Sequence, residues 1–73
     1  MGMSVVERVA RELCRCDGHP ENISYGGLPM WASYADTARF VIAAMRDPTE
    51  AMLEAGKCTV ERWSRMIDAA LRD

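Results

Sequence analysis

The side chains most capable of chemistry cluster in Cys14-Arg15-Cys16-Asp17-Gly18-His19, with a third cysteine far along the chain at Cys58. Three thiolates and an imidazole would make a closed tetrahedral zinc set. The spacing C-x-C-x-x-H is not one of the paired-knuckle patterns of such sites, and the second half of the chain offers only Cys58. Helical periodicity gives Cys14 a different role, as a small buried hydrophobe beside Leu13. Cys16 and His19 are the types of a nucleophile and its base. A thiol at the C-terminal end of a helix is held protonated, however, and no oxyanion device accompanies it. The carboxylates mostly alternate with arginines on solvated faces and suggest no pair for acid–base work. The chain therefore reads as a non-enzyme without a cofactor motif, and Cys14, Cys16, His19 and Cys58 are its candidate metal ligands.

Two further features concern binding. Tyr25-Gly26-Gly27-Leu28-Pro29 lacks the spacing of a phosphate loop and does not follow a strand. It is either a tight turn with Tyr25 and Leu28 packed inward, or a loop presenting Tyr25, Gly26, Gly27, Leu28 and Met30 to another protein. Phe40 lies off the apolar stripe of its helix. With Met30 or Met66 it would form a contact patch for a partner or for a second copy of this chain.

With 73 residues this is one domain, 1–73. Hydrophobic residues make up 49% and charged residues 27%, a globular rather than a disordered balance. The formal charge of −2 is a poor footprint for nucleic acid or for an anionic membrane surface. No apolar run approaches the roughly 20 residues of a spanning helix, and no signal peptide is recognisable. Met1-Gly2 is followed by Val6 where a myristoylation signal needs Ser or Thr. The expected compartment is the cytoplasm, with reduced thiols, which an odd cysteine count also fits.

Four helices must position these residues. Ser4-Val5-Val6-Glu7 has the capping-box pattern, and Val5, Val6, Val9, Ala10 and Leu13 then form one face. Glu7, Arg8, Arg11, Glu12 and Arg15 are expected in solvent, and Asp17-Gly18 is the stop. Residues 19–30 form an ordered loop folded back over the core, and no strand signal is present. The widest stripe, Trp31, Tyr34, Ala35, Ala38, Val41, Ile42 and Met45, makes 31–45 the helix on which the others pack. Asp47 is the expected N-cap of a short helix over 48–55 that buries Ala51, Met52 and Ala55, with Gly56 closing it. Thr59 caps a last helix with Val60, Trp63, Ile67, Ala70 and Leu71 inward. The expected fold is a compact all-α bundle of three main helices and one short one, with both indoles in a shared interior.

The helix pair 48–71 also suggests a helix-turn-helix, its second helix carrying Arg62, Arg65 and Arg72. Glu61, Asp68 and Asp73 offset those arginines, so DNA regulation ranks behind protein binding, and zinc binding behind both.

Three segments together carry a resemblance: Val5-Glu7-Arg8-Val9-Ala10, the run 43–56, and Trp63 with 66–71. They are similar to a group of small uncharacterised proteins encoded by phages and prophages of alphaproteobacteria, which share AMR-x-PT-x-AM-x-x-AG and W-x-x-MIDAAL. The resemblance covers about half the chain. It implies a phage-type accessory protein in the cytoplasm of a bacterial host, and no activity.

Overall fold

The computed structural model of the chain describes residues 2–72. Met1, and Asp73 counted above against the arginines, lie outside the described residues. Helix α1 spans Val5–Cys16, and Ser4 caps it by accepting the Glu7 amide at 3.1 Å. A two-stranded antiparallel hairpin follows, β1 Ser24–Tyr25 and β2 Leu28–Pro29. A 3-10 turn over Met30–Tyr34 leads into α2, Ala35–Ala44. Then come α3, Glu50–Gly56, and α4, Val60–Arg72.

The chain is mostly helical, but the hairpin and the 3-10 turn correct the expectation of helix throughout 31–45 and of no strand. The hairpin is too short to show a period-2 pattern; what specifies it is the turn. Gly26 and Gly27 have φ of +60° and +84°, and a two-residue turn of this hand needs positive φ at both central positions. An added Cβ at either glycine would meet nothing within 4 Å, so conformation rather than space demands glycine there.

The core is thin. Val6, Ala10, Ala38, Ile42 and Ile67 form one buried cluster, and Cys14 is buried beside them on α1. Ala10 and Ala38 have no accessible surface, so α1 and α2 approach closely with no large side chain between them. Three of the buried residues belong to α1, which packs against the 3-10 turn, α2 and α4. The central element is therefore α1, not the helix of the widest stripe. Val41 on α2 and Met45 just past its end are 41% and 46% exposed, because the stripe is wider than its neighbours can cover. The indoles border the same cluster rather than lying buried within it. Each is half-buried against the cluster, Trp31 before the start of α2 and Trp63 at its far end.

Helix α4 is fixed to α2 by capping that leaves no hydropathy signal. The Trp63 Nε1–H donates to the Met45 carbonyl at 2.6 Å, and the Ser64 hydroxyl donates to the Arg46 carbonyl at 3.4 Å. Both carbonyls lie just past the end of α2, where no intrahelical amide is left to bond them. Arg46 also pairs with Asp68 at 3.0 Å.

Helix α3 departs most from expectation. Its cap is Thr49, which accepts the Met52 amide at 3.2 Å, not Asp47. Ala51, Met52 and Ala55 are exposed, and only Leu53 is half-buried. Gly56 stays helical, and Lys57, at φ +49°, takes the left-handed position. The Lys57 and Cys58 amides then bond the Glu54 and Leu53 carbonyls, a Schellman ending shifted one residue onward. Val60 is likewise 49% exposed rather than inward.

With α3 outside the core, the molecule measures 42 × 21 × 21 Å. Its radius of gyration is 14.4 Å, where a compact domain of this length has about 11 Å. The expected compact bundle is an elongated helical body with a hairpin on one side.

Ile42, 2% exposed, is the bulkiest of the fully buried side chains. Ile42→Ala is expected to cost about 2–5 kcal/mol in urea unfolding, whereas Met52→Ala on α3 stays within about 0.5 kcal/mol. Equal losses at the two positions would contradict this division of the fold.

Candidate functional site

The structure separates the four candidate metal ligands. Cys14 is fully buried, Cys16 and His19 are exposed, and Cys58 is half-buried in the α3–α4 connection. The Cys14 thiol donates toward the backbone carbonyls of His19 and Pro20, at 3.6 and 3.9 Å. It thus meets the chain of His19 rather than its imidazole. Burial, then the charges of Glu21 and Asp17, push the Cys14 thiol above its usual range, away from the thiolate that metals and electrophiles need. Among the described residues no group of three or more His, Cys, Asp or Glu side chains gathers to hold a metal.

The second half of the chain does not form a helix-turn-helix. Helix α3 has at most marginal contact with α4, whereas the two helices of that motif pack together. Lys57, Arg62 and Arg65 line a shallow recess with Gly56, Cys58 and Met66. No helix among the described residues is long and apolar enough to cross a membrane.

The segment over 19–30 is where the sequence left two readings open. The hairpin sets Tyr25 opposite Leu28, so the two side chains share one face. They are 60% and 61% exposed, which corrects the reading with both packed inward. Gly26 and Gly27 form the turn, and Ile23, 52% exposed, stands at the base. Met30 is half-buried, and its amide donates to the Ile23 carbonyl at 2.8 Å. Phe40 stands apart on α2, 74% exposed.

The apolar hairpin tip is held by a polar cluster built on Glu7 and Arg11, both expected in solvent. Arg11, expected on the outer face of α1, is half-buried. Its Nε donates to Glu7 at 2.9 Å, and one Nη donates to Asn22 at 2.9 Å and to Glu21 at 3.3 Å. Its guanidinium carbon lies 5.1 Å from the centre of the Trp31 ring, a cation–π distance. The hydrogen bond to Glu7 leads the causes that raise the Arg11 pKa, so the charge is fixed at any ordinary pH. The Glu7 carboxylate therefore serves Arg11, while its amide donates to the Ser4 cap. The Trp31 amide completes the attachment by donating to the Glu21 carbonyl at 3.1 Å. The available signal was position: Arg11 follows Ala10 directly and borders the stripe of Val6, Ala10 and Cys14.

A second tie joins the end of α1 to the end of the 3-10 turn. The Tyr34 hydroxyl donates to Asp17 at 2.7 Å, just before Gly18 takes φ +81°. This bond to the carboxylate, then burial and charge, push the Tyr34 phenol up to about 12. Sequence reasoning put Tyr34 on the apolar stripe and missed its hydroxyl.

The chain matches no protein-family model, and no curated protein or solved structure matches it.

A raised phenol pKa means that the folded chain holds its proton where the unfolded chain releases it. The stability Tyr34 adds is present in full below about pH 10 and lost as pH rises toward 12. Wild type should thus exceed Tyr34→Phe in unfolding free energy by a constant amount at neutral pH, and the gap should close through that window. Parallel profiles across the window would exclude the bond to Asp17.

Proposed function

We propose that this protein is a non-enzymatic interaction module of the phage or prophage accessory type, which binds another protein through its hairpin tip. The observation that carries this reading is the exposure of Tyr25 and Leu28 as an opposed pair on a short, anchored hairpin. The tip projects an aromatic and a branched aliphatic group, and aromatic anchors are enriched among the residues that dominate interfaces. The Gly26-Gly27 turn fixes their spacing, and Arg11, Glu21 and Trp31 hold the base, so little ordering cost falls on binding. Phe40 supplies a second apolar group on a separate element. More large apolar side chains are exposed than buried among the described residues, which also suits a module completed by contact. The phage-type part of this reading rests on the resemblance of 43–56 and 63–71 described above.

The test compares pull-downs from host lysate with wild type and with Tyr25→Ser/Leu28→Ser, both at exposed positions. Wild type should retain a discrete protein that the double variant loses, while circular dichroism stays unchanged. Equal recovery by both, or recovery by neither, would contradict the assignment.

A further inference from the structure

Three cations meet in the recess at the α3–α4 turn. Lys57, Arg62 and Arg65 line it together with Gly56, Cys58 and Met66, and no carboxylate does. Arg11, Arg15, Arg39 and Arg46 each have an acidic partner within the chain. Among the described residues Lys57, Arg62 and Arg65 have none, although Glu54 precedes Lys57 by three residues and Glu61 precedes Arg65 by four. Elsewhere Arg8 shares a hollow with Glu12, and Arg72 shares one with apolar side chains.

Each of the three sits where local rules disfavour it. Lys57, at φ +49°, is the one non-glycine residue with positive φ among the described residues, and Gly56 stands directly before it. Ending α3 one residue earlier would put that glycine in the left-handed position without strain. Arg62 lies in the first turn of α4, where the helix dipole opposes a cation, and Arg65 repeats the charge three residues on. The turn is nonetheless firmly built. The Lys57 and Cys58 amides donate to the Glu54 and Leu53 carbonyls, and the Thr59 hydroxyl accepts the Arg62 amide at 3.2 Å. Residues held against their local preferences with no return in packing point to function.

We infer that the recess binds the phosphate group of a small phosphate monoester. A dianion answers three converging cations better than a carboxylate does. It accepts the paired N–H donors of two guanidinium groups together with the point charge of the lysine. Cys58, half-buried, and Met66, 53% exposed, offer the organic part of the ester an apolar side. A long phosphate backbone fits less well, since these cations are confined to one recess and the chain carries a net charge of −2. The recess shares no residue with the hairpin tip, so it stands independently of the partner assigned there.

Titration of the isotopically labelled intact chain with phenyl phosphate tests the inference, read by amide and arginine Nε–H resonances at an ionic strength held constant with sodium chloride. Saturable shifts should gather at Lys57, Cys58, Arg62 and Arg65. Inorganic phosphate should move the same resonances with lower affinity, and a DNA duplex should bind less tightly than the ester. Lys57→Gly should weaken binding of phenyl phosphate roughly fivefold while Tm stays equal or rises, because glycine takes the left-handed position freely. Arg62→Gln and Arg65→Gln, both at exposed positions, should each weaken it roughly tenfold with the helical circular dichroism unchanged. Shifts that fail to saturate or spread evenly over Arg8, Arg39 and Arg72 would overturn the inference. So would inorganic phosphate bound as tightly as the ester, a duplex that outcompetes it, or full affinity in Lys57→Gly.

Discussion

One guanidinium holds the two ends of a long connection against the helix they flank. Arg11 reaches back four residues to Glu7 and forward ten and eleven to Glu21 and Asn22, and its plane covers Trp31. Arginine suits this place because its fork offers several directed donors while its flat face meets an aromatic ring; the point charge of lysine would not do both. The side chains of Arg11, Glu7 and Glu21 are each about three-quarters covered, so water and salt screen this cluster less than an open surface pair. The bond from Tyr34 to Asp17 fixes the far end of the same segment.

The need for such polar ties follows from the core. Five small or branched residues and one cysteine cannot bury much area, and two of the five are alanines. The alanines bring α1 and α2 together but contribute little apolar surface of their own. Capping and ion-pair contacts therefore connect elements that packing alone joins weakly: Trp63 and Ser64 on the end of α2, Arg46 on Asp68, Arg11 on the connection. Helix α3 receives none of these inter-element ties and lies outside the core. The same shortage of core leaves Tyr25, Leu28 and Phe40 facing outward, where they form the surface on which the functional reading rests.

What was legible in the sequence was local. The Ser4 cap, the stop at Gly18 and the Thr59 cap depend on a few adjacent residues and stand where their spacing puts them. Cys14 is buried on the face its periodicity indicates. What depended on the rest of the fold was not legible. A stripe shows which side of a helix is apolar, not whether anything covers it, so it overstates burial on α3 and toward the end of α2. The Gly26-Gly27 pair signals a tight turn, but two-residue strands carry no alternation, so nothing local fixes which way Tyr25 and Leu28 face. Arg11, Tyr34 and Trp63 each act through a polar atom on a partner 10 to 18 positions away, and no local pattern encodes such pairings.

Arg11 is the tether on which the order of the connection depends. Amide hydrogen exchange at Met30 and Trp31, compared between wild type and Arg11→Ala, tests it most directly. Both amides bond carbonyls of the connection, at Ile23 and Glu21, and should exchange slowly in wild type. In the variant both should lose protection together while the amides of α3 exchange as before. Unchanged protection at Met30 and Trp31 after removal of the guanidinium would contradict the account.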